Sequence, residues 1–135
     1  MEATSWWRRL RRRTAPRELD PGRGDLVVVA SSFDDAEACS AALARADGWI
    51  AEQPAVLRHH LRLPAAQVNA VQIIAAQDGY QTSSVDESDP ALLILHRVQI
   101  LDALHCSQER ARMAGLAQRH DGDALGWEAL QPKPL

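Results

Sequence analysis

The stretch Val56-Leu57-Arg58-His59-His60-Leu61-Arg62-Leu63 decides the fold. Leu57, His59, Leu61 and Leu63 occupy one parity of it; Arg58, His60 and Arg62 occupy the other. Side chains of a strand alternate between its two faces, so this pattern predicts a strand with one buried side. Ala91-Leu92-Leu93-Ile94-Leu95-His96-Arg97-Val98-Gln99-Ile100 is the most apolar strand-like run in the chain. A strand buried by neighbours on both sides needs such a run, which places it at the centre of a sheet.

The connections follow from local chemistry. Pro64 suits the first turn of a helix, where its missing N–H costs no hydrogen bond. Val68, Val71, Ile74 and Ala75 then recur at helical spacing, and Gly79 stands where a left-handed C-terminal cap is expected. Tyr80 to Val85 is strand-like but polar on one side, which suits an edge, and Asp86 to Pro90 reads as a turn. Asp102 can cap a last helix running to about His120, with Leu125 to Leu130 as a closing strand.

The order from residue 56 is therefore β-α-β-β-α-β, the pattern of a ferredoxin-like core. One β-α unit precedes it: the strand Leu26–Ala30, then a helix capped by Ser32 or Asp34 that carries Ala36, Cys39, Leu43 and Ala46 until Asp47-Gly48. The fold class expected is α/β (α+β), with a single ferredoxin-like domain over residues 25–131. A mostly parallel, doubly wound sheet that takes in the 26–30 strand is the competing arrangement.

Size and charge bound the function. At 135 residues the chain suits one domain, and 46% hydrophobic content supports one core, built mainly from aliphatic side chains because aromatics make up only 4%. The net charge of −3 is unevenly spread. Residues 1–24 are basic, with seven Arg against Glu2, Glu18 and Asp20, and the remainder is strongly acidic. An acidic body is a poor non-specific ligand for phosphate backbones. Cys39 and Cys106 lie far apart without a CxxC pair, so no disulfide framework is expected and a reducing, cytoplasmic setting is. No stretch has the apolar length of a secretory signal or a transmembrane segment.

Residues 1–24 read as a basic, disordered tail punctuated by Pro16, Pro21, Gly22 and Gly24. Within it Trp6 and Trp7 stand beside Arg8, Arg9, Arg11, Arg12 and Arg13, a composition suited to RNA phosphates or an anionic membrane surface.

Residues 34–128 resemble the regulator of ribonuclease E activity B (RraB) family. The resemblance rests on the order of features: a short Ala-rich helix ending at Asp47-Gly48, the strand Val56–Leu63 followed by Pro64, a helix ending Asp78-Gly79-Tyr80, an apolar strand, and a last helix running into His120-Asp121-Gly122-Asp123-Ala124-Leu125-Gly126-Trp127-Glu128. Gly122, Gly126 and Trp127 match the family's closing motif, while Ala124-Leu125 stand where it has Tyr-Asp. The resemblance implies a ferredoxin-like protein that binds ribonuclease E and restrains RNA decay as an enzyme inhibitor, without catalysis of its own.

The candidate site is accordingly a protein-binding surface. Arg58, His60 and Arg62 would project from the sheet face that the helices leave open and meet an acidic client. Trp127, next to Gly126, is either a core indole or a partner anchor. Base stacking lacks its aromatic platform on this face. His59, His60, His96, His105 and Cys106 match no zinc spacing, and His59 and His60 point to opposite faces. No GxSxG, GxGxxG or GxxxxGK[ST] motif is present. Asp102, His105 and Cys106 are close in sequence, but adjacent helical residues diverge too far to act together. The expectation is no enzyme, no cofactor and a protein client, possessing an RNA- or ribosome-associated protein as its rival reading, acting through the tail.

Overall fold

A computed structural model describes residues 19–133. The tail residues Trp6 to Arg13 lie outside them. Among the described residues, five strands and three α-helices follow in the order β1 (Leu26–Ser32), α1 (Cys39–Arg45), β2 (Pro54–Leu63), α2 (Val68–Gln77), β3 (Gln81–Asp86), β4 (Ala91–Ile100), α3 (Ala103–Gln118) and β5 (Asp123–Pro132). One sheet of order β1-β5-β2-β4-β3 contains every strand, and all four neighbouring pairs are antiparallel. The parallel, doubly wound arrangement is thus not the one formed. Its other element holds, since the first strand does join the main sheet, at the edge beside β5.

The interior position of β2 and β4 follows from their apolar content. Leu57, Leu61 and Leu63 of β2 and Leu93 and Leu95 of β4 are buried on the same face. All three helices pack there. Under α1, Leu57, Leu101, Trp127 and Ala129 meet Cys39, Ala42 and Leu43. Under α2 and α3, Leu61, Leu63, Leu93 and Leu95 meet Val71, Ala75, Met113 and Leu116. Each such aliphatic side chain contributes about 1.5–3 kcal/mol by leaving water.

Local chemistry sets the helix ends. Asp102 accepts a bond from the His105 N–H at 2.7 Å and caps α3. Gly79 takes φ +84° after α2, the left-handed geometry that glycine tolerates best. The expected cap of α1 differs. Its N-cap is Ala38, without a side-chain bond, because Asp34 instead turns back onto the Ala36 N–H at 2.9 Å. The 33–38 loop is held by arginines: Arg110 donates to the carbonyls of Asp34 and Glu37, and Arg45 pairs with Glu37 at 2.7 Å.

Candidate functional site

Among the described residues, the second sheet face carries no helix. Its rows follow from the strand register: Val56, Arg58, His60 and Arg62 of β2 lie opposite Val98, His96, Ile94 and Leu92 of β4. On the other side Arg58 faces Glu128 and Arg62 faces Asp123 of β5. Alternation in β2 thus puts Arg58, His60 and Arg62 on one face, with His59 turned to the other and buried.

The three side chains do not form a free cationic row. Arg58 Nη2 donates to Glu128 Oε1 at 3.1 Å, and His60 Nε2 lies 2.5 Å from the same oxygen. Arg62 reaches Asp123 at 3.4 Å. Only Arg62 is well exposed, at 52% of its side chain, against 31% for Arg58 and 17% for His60. Glu128 therefore answers two basic groups at once and removes much of the charge an acidic client would meet. Burial, and then the Arg58 charge, lower the pKa of His96, whose Nδ1 sits 2.6 Å from Ser83 Oγ.

Leu92, Ile94 and Val98 are half-buried and run down the middle of the face. Two pieces of chain cover its ends. Leu19 is buried against Val56 and Leu130. Phe33 packs edge-on to the His60 ring at 5.1 Å and lies over Gly126, where any Cβ would strike its ring and the Ser32 carbonyl. A hollow of about 370 Å³ remains between Pro21, Arg58, Ser83 and His96. A larger groove, about 740 Å³, runs from Phe33 and Arg62 along Arg110 and Ala114 of α3 to Asp123.

Trp127 is fully buried among the α1 core residues, and its indole N–H has no partner among the described residues. Of its two readings, core packing describes where it sits, and a buried indole offers a partner no surface.

On the helix face the structure assembles a polar cluster that sequence reasoning did not gather. Glu109 of α3, buried, accepts from the Tyr80 hydroxyl at 2.7 Å and pairs with Arg97 and Arg112, each at 3.2 Å. The Arg97 guanidinium lies 4.8 Å from the centre of the Tyr80 ring, and His59 Nε2 is 3.5 Å from the Tyr80 oxygen. Burial, reinforced by the charges of Arg97 and His60, pushes the His59 pKa down to about 3. Burial and the bond to Glu109 raise that of Tyr80. A Glu inside α3 and an Arg inside β4 were the available signals, each breaking an apolar parity. Glu109, Tyr80 and His59 are buried while Arg97 and Arg112 reach the surface, so the cluster ties α3 to the sheet from its inner side.

Cys39 and Cys106 are buried free thiols. Asp102 and His105 pair at 2.7 Å on the exposed side of α3, while Cys106 turns inward. No helix of the described residues is long and apolar enough to cross a membrane.

No protein-family model matches this chain. No curated protein and no solved structure matches it either.

Proposed function

We propose that this chain is a non-catalytic regulatory protein that binds a ribonuclease through the helix-free face of its sheet, in the manner of the ribonuclease E inhibitors it resembles. The ferredoxin-like description belongs to the same proposal, and the strand order β5-β2-β4-β3 supports it. One observation carries the reading: a sheet face left bare by every helix of the described residues, with Leu92, Ile94 and Val98 at its middle and paired charges around them. An apolar centre inside a polar rim is the usual anatomy of a protein interface. Because Glu128 already holds Arg58 and His60, binding rests on the apolar row, and Arg62 steers the approach.

The test measures association with purified ribonuclease E and inhibition of its RNA cleavage. Arg62→Glu should slow association several-fold and leave folding intact, since exposed charges act mainly on encounter rates. Ile94→Glu should abolish binding. Wild-type protein that neither binds nor inhibits would remove this client. Retention of an RNA by the whole chain, lost steeply as salt rises, would favour the tail-based reading instead.

A further inference from the structure

Among the described residues the sheet has two open edges, β1 and β3, and they are built differently. β3 is polar along most of its length, Gln-Thr-Ser-Ser-Val-Asp, and is broken by a register shift between Thr82 and Ser84. Polar side chains and bulges are the ordinary devices that stop one sheet edge from pairing with another. β1 also carries a register shift, between Val28 and Ala30, but its side chains are the reverse: Leu-Val-Val-Val-Ala-Ser-Ser, rich in β-branched residues and without a charge from Leu26 to Phe33.

The exposed apolar residues gather at that edge. Seven large hydrophobics are exposed among the described residues, and Val27, Val28, Phe33 and Ile50 are four of them. Val28 lies on the helix-free side, since it pairs with Leu130, and Phe33 shares that side. Val27 lies on the helix side opposite Gln131, whose amide bonds both backbone groups of Ile50 at 2.8 and 2.9 Å. The edge is therefore flanked by apolar surface on both faces.

Its backbone is also available. The Lys133 N–H donates to the Asp25 carbonyl at 2.8 Å. In an antiparallel ladder, bonded and non-bonded pairs alternate, so Val27 bonds inward to β5 while Leu26 and Val28 turn their N–H and C=O groups outward.

We propose that β1 is a self-association edge, on which a second copy of this chain lays its own β1 antiparallel to form one continuous sheet. Charge selects the occupant. Pairing centred on Val27, so that Leu26 of each copy bonds Val28 of the other ahead of the register shift between Val28 and Ala30, sets the uncharged residues of one copy against those of the other. It carries the Arg23–Asp25 ion pair of each copy toward the uncharged Val29–Ser31 end of its mate, so no like charges face each other. The edge is distinct from the client-binding face, and the inference does not depend on that reading.

Sedimentation of the full chain across a wide concentration range tests it. The wild type should pass from monomer to dimer. Val28→Lys should remain monomeric at concentrations where the wild type is dimeric, with an unchanged far-ultraviolet spectrum. Val85→Lys, on the other edge, should dimerise like the wild type. Hydrogen exchange on the wild type supplies a second measurement that needs no variant. The Leu26 and Val28 amides should exchange freely when dilute and gain protection as concentration rises. A wild-type chain that stays monomeric to millimolar concentration overturns the proposal. So does a dimer that survives Val28→Lys, or one that leaves those two amides unprotected.

Discussion

At the scale of single residues, the neighbours His59 and His60 show how one parity step separates two environments. His60 sits half-buried beside Glu128, and His59 is sealed beneath the helices. Burial holds His59 neutral, with a folded pKa near 3 against 6.5 for the free imidazole. The unfolded chain therefore binds the extra proton between those values. Its contribution is intact above 6.5 and is lost as the pH falls toward 3. The slope approaches about 1.4 kcal/mol per pH unit for one such group. Tyr80 lies beside the imidazole, and the nearby Arg97 charge opposes its protonation. Urea melts of the wild type should lose stability from about pH 6 downward, before most carboxylates titrate. His59→Gln should flatten that upper part of the decline, and an equally steep decline in the variant would assign the slope to other groups. The opposed directions of His59 and His60 were legible from alternation alone. Their partners were not: Glu128 lies far along the chain, and only the β2–β5 register brings it to Arg58.

At the scale of elements, apolar periodicity located the strands and helices because each must bury one side. The period of two in β2 and the apolar run of β4 made them the interior strands, and polar β3 fell at an edge. The start of α1 was less legible, since Asp34 had two local uses and took the turn rather than the cap. The polar tie between α3 and the sheet was hidden for a related reason: a buried Glu at position 109 looks like a solvated helix residue until tertiary packing closes over it. Its energetics are lopsided. Glu109 with Arg97, Arg112 and Tyr80 is a satisfied group, but removing the carboxylate takes away the acceptor of the phenol and the one buried partner of two guanidinium groups, which keep only their bonds to Asp78 and Gln99. Breaking a buried pair from one side costs about 3–5 kcal/mol. Arg112 is partly exposed and recovers water, which places Glu109→Ala toward the lower end. Thermal denaturation should show that loss for Glu109→Ala and a smaller one for Arg112→Ala. Equal, small effects would mean that the cluster is solvated.

At the scale of the molecule, the sheet is assembled from a pattern that needs no first strand, yet β1 extends it and the segment before β1 reaches back across it. Composition placed residues 1–24 together as a tail, because Pro and Gly punctuate the stretch and no apolar period runs through it. A single leucine escapes such a reading. Leu19 is 6% exposed and caps the cluster of Val56 and Leu130, with Leu26 and Val98 alongside. Gly22 bonds back to Asp20 at 2.8 Å, and Arg23 pairs with Asp25 at 2.7 Å, so the approach from Leu19 to β1 is locally ordered by its own side chains. Two truncations separate the tail from the packed unit. A chain beginning at Leu19 keeps the cap over Val56 and Leu130, and one beginning at Asp25 uncovers both. Burial of one leucine is worth about 1.5–3 kcal/mol, so the shorter chain should be less stable by that amount while still melting cooperatively. The loss should appear as a lower urea midpoint at similar slope, since little additional surface is involved. Equal midpoints for the two truncations would show that Leu19 is not seated on the sheet. A shorter chain that melts without cooperativity would show that residues 19–24 are part of what makes the fold, and not only a cover for one end of its open face.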